Sequence, residues 1–274
     1  MGNGTAYLGP EFSFCEEAAR RYTGYLSCAM KACQSIEAVF AAVDAGEADQ
    51  GIVPIENSCE GSVNQTLDLL AYGYELKITG EIIIPVEQNL LVKVDTPLHE
   101  ITHILSHPQA LAQCRGTMLN LCPWVSFREV SSTAEAARMV RDSENPWGAV
   151  ASQAAAAHYG LHMLKQNTHD AHYNETRFIV IGRENSEPES ACKSSFIIHT
   201  LHQPGALYRC LEEFYRRGVN LTKIESRPAR TRIGEYLFFI DVDGALEQPK
   251  VTEAVQALQQ SAQEIRFLGS YSVH

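Results

Sequence analysis

The sequence predicts an α/β protein in two units, and three observations carry that expectation. Short apolar runs alternate with helix-period stretches over 1–183, the pattern of strands joined by crossover helices. A polar, proline-containing run at 183–194, Arg-Glu-Asn-Ser-Glu-Pro-Glu-Ser-Ala-Cys-Lys-Ser, then interrupts the chain as a linker would. The remainder reads strand–helix–strand–strand–helix–strand, the ferredoxin-like order. The expected division is a first unit over 1–183, a linker over 184–192 and a second unit over 193–274.

In the first unit, strands are expected at 5–8, 51–55, 77–84, 89–94, 104–106, 148–151 and 178–181. Helices are expected at 13–22, 35–45, 62–72, 108–119, 132–141 and 152–159. Four helix starts have capping-box spacing: Ser13 with Glu16, Ser62 with Gln65, Ser106 with Gln109, and Ser132 with Glu135. Most of these starts follow a strand closely, where free backbone N–H groups and the positive dipole end attract anions. Any one serine reads equally well as a plain cap. Several in one unit favour an anion-binding cleft. The stretch 80–94 is extended, but Pro85 breaks it, so it is not one central strand. A crossing between two lobes near 80–90, with a return near 170–180, accounts for it, and the groove between two such lobes is a natural ligand site.

In the second unit, strands are expected near 194–200, 219–225, 235–242 and 264–271, with helices near 205–217 and 249–262. Leu207, Cys210, Leu211 and Phe214 form one apolar stripe, and Val251, Ala254, Val255 and Leu258 another, each fit to lie on a sheet. Gly218 ends the first helix after Arg216 and Arg217. So small a sheet, with helices on one face, exposes an edge that invites pairing with another chain.

The formal net charge is -11 with no basic stripe, which argues against nucleic acid but not against an anionic small molecule. The N-terminus lacks a basic and apolar leader, and no apolar run approaches the length of a membrane span, so a cytoplasmic protein without membrane association is expected. The cysteines at 15, 28, 33, 59, 114, 122, 192 and 210 have neither zinc spacing nor neighbouring histidines, and are read as unpaired thiols. No phosphate-loop, dinucleotide or Gly-x-Ser-x-Gly motif is present, so no cofactor and no metal are expected.

Four segments carry the chemistry. Val53-Pro54-Ile55-Glu56-Asn57-Ser58-Cys59-Glu60-Gly61-Ser62-Val63 runs from a strand through polar residues into a helix. Leu105-Ser106-His107-Pro108-Gln109-Ala110-Leu111-Ala112-Gln113-Cys114 opens a helix, with Pro108 in its first turn. Asn174-Glu175-Thr176-Arg177-Phe178 opens a strand. The fourth is His202-Gln203-Pro204-Gly205-Ala206-Leu207 together with Glu225-Ser226-Arg227-Pro228. In order and separation the first three resemble the signatures of prephenate dehydratases. The fourth resembles the paired phenylalanine-binding motifs of the ACT domain attached to that family. The resemblance spans nearly the whole chain. It implies a catalytic unit of two lobes like the type II periplasmic binding proteins, a C-terminal ACT domain, conversion of prephenate to phenylpyruvate, feedback by L-phenylalanine, and a homodimer or homotetramer.

On that resemblance, Thr176 is expected to donate a hydrogen bond to the departing ring hydroxyl. Glu56 is one candidate proton source, on the condition that it is buried. Asn57, Ser13, Ser62, Ser106 and Gln113 are expected to hold the substrate. Arg177 could take a carboxylate bidentately, but adjacent strand residues face opposite sides, which ranks it below Thr176. His107 reads as structural, fixed at the helix entry by Pro108. Gly205, Ala206, Leu207, Glu225, Ser226, Arg227 and Pro228 are expected to recognise the effector. Without the resemblance, Thr176 is an ordinary strand residue, Gln113 a solvated helix residue, Gly205 a cap, and Glu225–Arg227 a surface ion pair. One motif departs from the family: Gly9-Pro10-Glu11-Phe12-Ser13 has Phe12 where the family usually has glycine, and Ser13 where it usually has threonine. An arogenate dehydratase and a non-catalytic amino-acid sensor both stay open at this point.

Overall fold

In the computed structural model, residues 4–24, 28–94, 96–171, 173–186 and 192–273 are described. The first lobe begins with β1 (Thr5–Leu8), α1 (Phe14–Tyr22), β2 (Met30–Cys33), α2 (Ile36–Asp44) and β3 (Gln50–Asn57). It continues through the short β4 (Gly61–Ser62), α3 (Asn64–Asp68, extended by a π-helical turn over Leu69–Gly73) and β5 (Lys77–Pro85). The second lobe contains β6 (Asn89–Val92), β7 (His103–Ser106), α4 (Pro108–Leu121), β8 (Ser126–Glu129), α5 (Thr133–Asp142), β9 (Trp147–Ala151), α6 (Gln153–Tyr159) and β10 (His162–Lys165). The chain then returns to the first lobe as β11 (Glu175–Gly182).

The first-lobe sheet runs β2-β1-β3-β11-β5, with β4 on β3, and the second-lobe sheet runs β10-β6-β9-β7-β8. Residues 86–88 and 166–174 cross between the lobes. Both faces of the first sheet are covered, so β3 reads Gly-Ile-Val-Pro-Ile rather than as a strict alternation. One face packs Ile52, Phe178 and Val180 against Ala18 and Ala19 of α1. The other packs Val53, Ile55, Ile179 and Ile181 against α2 and against residues from the C-terminal end of the chain.

Four strands had no sequence signal: β2, β8 and β10 are sheet edges of four residues each, with little burial to impose a pattern, and β4 has only two residues. Ser13 and Ser132 cap α1 and α5 as expected, and Ser35 and Ser152 cap α2 and α6. Two capping expectations fail. Ser62 lies in β4, and α3 begins after Val63. At α4 the cap is the ring of His107, which accepts from the Gln109 N–H.

The C-terminal unit is β12 (Cys192–Thr200), α7 (Ala206–Arg216), β13 (Leu221–Pro228), β14 (Tyr236–Asp243), α8 (Pro249–Leu258) and β15 (Ala262–Ser272). Its sheet order is β13-β14-β12-β15. Phe196, Ile198, Ile240 and Val242 face the two helices, while Ile197, Leu237, Phe239 and Tyr271 face the first lobe. The chain is therefore an α/β protein with a two-lobed unit followed by a ferredoxin-like βαββαβ unit, and the two share a core. Gly269 permits the closest approach. A Cβ there would lie 2.1 Å from the carbonyl oxygen of Ile78, so only glycine lets β15 pass over β5. Of the expected linker, residues 187–191 lie outside the described residues.

Candidate active site

A cavity of about 510 Å³ lies between the two lobes. The first lobe supplies Gly9, Pro10 and Ser13 from the β1–α1 junction, Pro54 and Asn57 from β3, Glu60 from the turn after it, Ser62 from β4, and Thr176 and Phe178 from β11. The second lobe supplies His107, Gln109 and Gln113 from α4, and Ser131, Ser132 and Thr133 from the start of α5. Val86, Gln88 and Asn174 come from the crossings.

Thr176 and Asn57 are cross-strand partners, and register puts partners on one face. A bulge follows. Arg177 pairs with Glu56 but Phe178 pairs with Pro54, so Ile55 is skipped, and Pro54 and Asn57 both reach the cleft. The Asn57 amide donates to Thr176 Oγ1 at 2.9 Å and to Asn174 Oδ1 at 2.8 Å. Asn174 donates to Gln113 Oε1 at 3.1 Å, and Gln113 donates to Glu60 Oε1 at 2.8 Å. The Glu60 backbone N–H closes the ring on Asn57 Oδ1 at 3.2 Å. A hydroxyl has one hydrogen to give. Because Asn57 donates to Thr176, that bond does not use the threonine's own hydrogen.

Among the described residues lining the cleft there is no lysine or arginine. Positive potential comes instead from the N-termini of α1, α4 and α5, each worth about 0.3–1 kcal/mol to a nearby anionic group. Burial pushes the Cys15 thiol up to about 12, which removes it as a nucleophile at neutral pH. Glu60 stands at the mouth of the cleft, and partial desolvation raises its pKa although the Gln113 amide pulls the other way. Gln88 is 3% exposed, and its Oε1 has no partner among the described residues. A buried amide oxygen left unpaired at a cavity wall is poised for a donor on a bound molecule.

The sequence-derived candidates divide. Thr176, Asn57, Gln113, Ser13 and Ser62 line the cavity. Three candidates do not, and are corrected here. Arg177 faces the opposite side of β11. It bonds Glu81 and Asp241 at 2.6 Å each and the Tyr271 hydroxyl at 2.9 Å. Burial alone would pull its pKa down, but Asp241, Tyr271 and Glu81 outweigh it, and the guanidinium stays charged. Glu56, the register partner of Arg177, faces the same way and meets Lys223 at 3.1 Å. Ser106 is fully buried and donates to the Val150 carbonyl. Ser62 keeps its place on the wall, but its hydroxyl is occupied: it donates to Glu225 at 2.8 Å and accepts from Lys223 at 2.9 Å. Glu60, Asn174 and Gln88 were missed, because neither burial nor pairing can be read from their spacing.

The effector candidates also divide. Gly205, with φ +75°, Ala206 and Leu207 line a second cavity of about 230 Å³ at the start of α7, together with Tyr236 and Phe238. Ser226 and Pro228 pair with Phe238 and Tyr236, so they face the same side of the sheet, and both are exposed. Glu225 and Arg227 are corrected: they face the first lobe, where Glu225 meets Ser62 and Arg227 grips Asp68 at 2.8 Å and Asn64 at 2.9 Å.

A family model described as prephenate dehydratase matches residues 5–186, and one described as ACT domain matches residues 194–260. The chain is 38% identical, over 100% of its length, to a prephenate dehydratase of Methanocaldococcus jannaschii, of which it covers 99%. It is 41% identical, over 97% of its length, to a bifunctional chorismate mutase/prephenate dehydratase of Aquifex aeolicus, of which it covers 72%. A crystal structure of prephenate dehydratase in complex with L-Phe, from Arthrobacter aurescens, matches with a TM-score of 0.89 at 36% identity, covering 98% of this chain and 89% of that one.

The placement of Arg177 makes a prediction about stability. Arg177→Met leaves Asp241 and Glu81 without their shared cation, and is expected to cost about 3–5 kcal/mol in urea unfolding. A loss below about 0.5 kcal/mol, as for an exposed side chain, would contradict the buried network.

Proposed function

The chain belongs to the prephenate dehydratase family, and from that premise we propose that prephenate reacts in the interlobe cleft, in contact with Thr176. The reaction breaks the bond from the ring to its carboxylate. CO2 leaves, the electron pair passes through the ring, and the C–O bond of the ring hydroxyl breaks. One proton converts the departing hydroxide to water, and the product is phenylpyruvate. Aromatisation drives these steps, so the site's task is to orient the dianion and to assist the leaving group.

The observation that carries this reading is the Asn57–Thr176 pair, which leaves the threonine hydrogen free to donate to the leaving hydroxyl. Ser13, the amide of Gln113 and the helix starts take the carboxylates, and Gln88 accepts from the substrate's hydroxyl side. Glu60 supplies the proton. Its pKa is already raised by desolvation, and two approaching carboxylates raise it further, keeping the proton on Glu60 until the hydroxyl departs.

The same reading assigns 1–183 to the catalytic unit, 184–192 to a linker and 193–274 to regulation. L-Phenylalanine is the effector, bound at the cavity of Gly205, Ala206 and Leu207 beside Ser226 and Pro228. Exposed Tyr208, Ile224, Ile233 and Tyr236 around that unit support assembly into a homodimer or homotetramer. The protein is assigned to the cytoplasm. Among the described residues no helix is long and apolar enough to cross a membrane, and all eight cysteines are free.

Thr176→Ala is expected to lower kcat about 100- to 1000-fold while calorimetry finds substrate affinity within a few-fold of wild type. Retained turnover would remove Thr176 from the chemistry. Because Glu60 must be protonated to act, activity should fall as pH rises through its elevated pKa. Glu60→Gln should abolish that alkaline fall and cost about 100-fold or more in kcat. An unchanged pH profile at full rate would assign the proton to another source. Titration with L-phenylalanine should show binding and slowed prephenate consumption in wild type, and weaker binding in Ser226→Ala. No heat and no inhibition would rule out the effector site.

A further inference from the structure

Phe12 has φ +64°, the left-handed region that an L-residue with a large side chain rarely occupies. Such a conformation persists only where surrounding contacts over-determine it. Its contacts are of two kinds. Within its own lobe the backbone N–H donates to the Glu16 carboxylate. Its other hydrogen-bond and ring contacts among the described residues reach the second lobe. Its carbonyl accepts from Ser152 Oγ at 3.3 Å, and its ring stacks on the His158 imidazole with centroids 3.5 Å apart and planes 17° apart. The ring also meets the edge of Tyr159 at 6.1 Å. Tyr159 is held in turn by the Arg141 guanidinium, 5.0 Å over its ring. Phe12 does not line the substrate cleft, so its side chain does not narrow the site. Its neighbours do line it: Gly9, Pro10 and Ser13, the cap of α1.

We propose that Phe12 is a positioning residue: its stack on His158 clasps the two lobes and thereby holds the Ser13 end of α1 against the substrate. The inference rests on the interlobe cleft being the substrate site. A second side-chain bridge, Gln113 to Glu60, joins α4 to the turn after β3. The clasp joins α6 to the turn after β1, so the two bridges fix different parts of the first lobe relative to the second. Loosening one of them shifts the population toward open forms, and substrate binding must then supply the closure.

The test is steady-state kinetics on Phe12→Gly, His158→Ala and the double variant. Glycine takes φ +64° without strain, and His158 lies on the exposed side of α6, so both single variants are expected to fold, with melting temperatures near that of wild type. Each should raise KM for prephenate about tenfold with kcat within threefold. The double variant should show no further rise, and His158→Phe, which keeps a ring in place, should retain the wild-type KM. A KM within twofold of wild type in either single variant, a fall in kcat at constant KM, or effects that multiply in the double variant would overturn the clasp. Failure of the cleft itself reads differently, as Thr176→Ala retaining turnover.

Discussion

β11 can serve the cleft only if it does not slip. A strand that shifted by one residue would exchange every side chain across its two faces. The groove would then receive Arg177 instead of Thr176. What forbids the slip is the buried network behind the strand: Arg177 between Glu81 and Asp241, Lys193 on the second oxygen of Glu81, and Ser195 and Tyr271 closing the far side. Buried ion pairs add little to stability once desolvation is counted, but breaking one is expensive. Their value here lies in register. Any other pairing of β11 leaves Asp241 in the core without Arg177 and Glu81 with Lys193 alone, so the Thr176 hydroxyl is fixed by charges that lie outside the cleft.

Half of that lock belongs to the second unit. Asp241 and Tyr271 lie on β14 and β15, so the orientation of Thr176 is completed by the sheet of the ACT unit. β13 repeats the arrangement at the cleft wall. Its alternate residues Glu225 and Arg227 reach Ser62, Asn64 and Asp68, while Ser226 and Pro228 face the other way, toward the second cavity. A ligand that moved β13 would therefore move the wall of the interlobe groove through contacts one residue from those it touches. Coupling of this kind is reciprocal: whatever factor the effector imposes on substrate binding, the substrate imposes on the effector.

The same period-two rule marks how far the sequence could be read. Elements buried on one side or both left a pattern, and their order was legible; β2, β8 and β10, exposed at sheet edges, left none. Thr176 and Asn57 could be found because their motifs are local. Applied to β11, alternation demoted Arg177. Applied to β3, the same rule sets Glu56 on the face opposite Asn57. Ser62 and Ser106 satisfy the spacing of a capping box, yet tertiary partners claim both hydroxyls, Glu225 and Lys223 for one and the Val150 carbonyl for the other. Glu60 and Gln88 matter through desolvation and an unfilled acceptor, which exist only once the lobes have met.

The absence of a cationic side chain from the described cleft wall fits the proposed chemistry better than its presence would. Prephenate gives up one carboxylate as neutral CO2. An arginine clamped on that group would stabilise the starting state and lose its partner as the bond breaks, which adds to the barrier. Helix ends and neutral amides hold an anion more weakly, and so penalise its disappearance less. The strong directional contact is reserved for the atom that gains charge. In the proposed reaction, negative charge develops on the ring hydroxyl's oxygen as it departs, and a donor at Thr176, held in place by Asn57, would need no reorganisation to meet it. Placing Arg177 behind the strand rather than in the groove thus locks the register and, in the proposed reaction, leaves the scissile carboxylate without a cationic clamp.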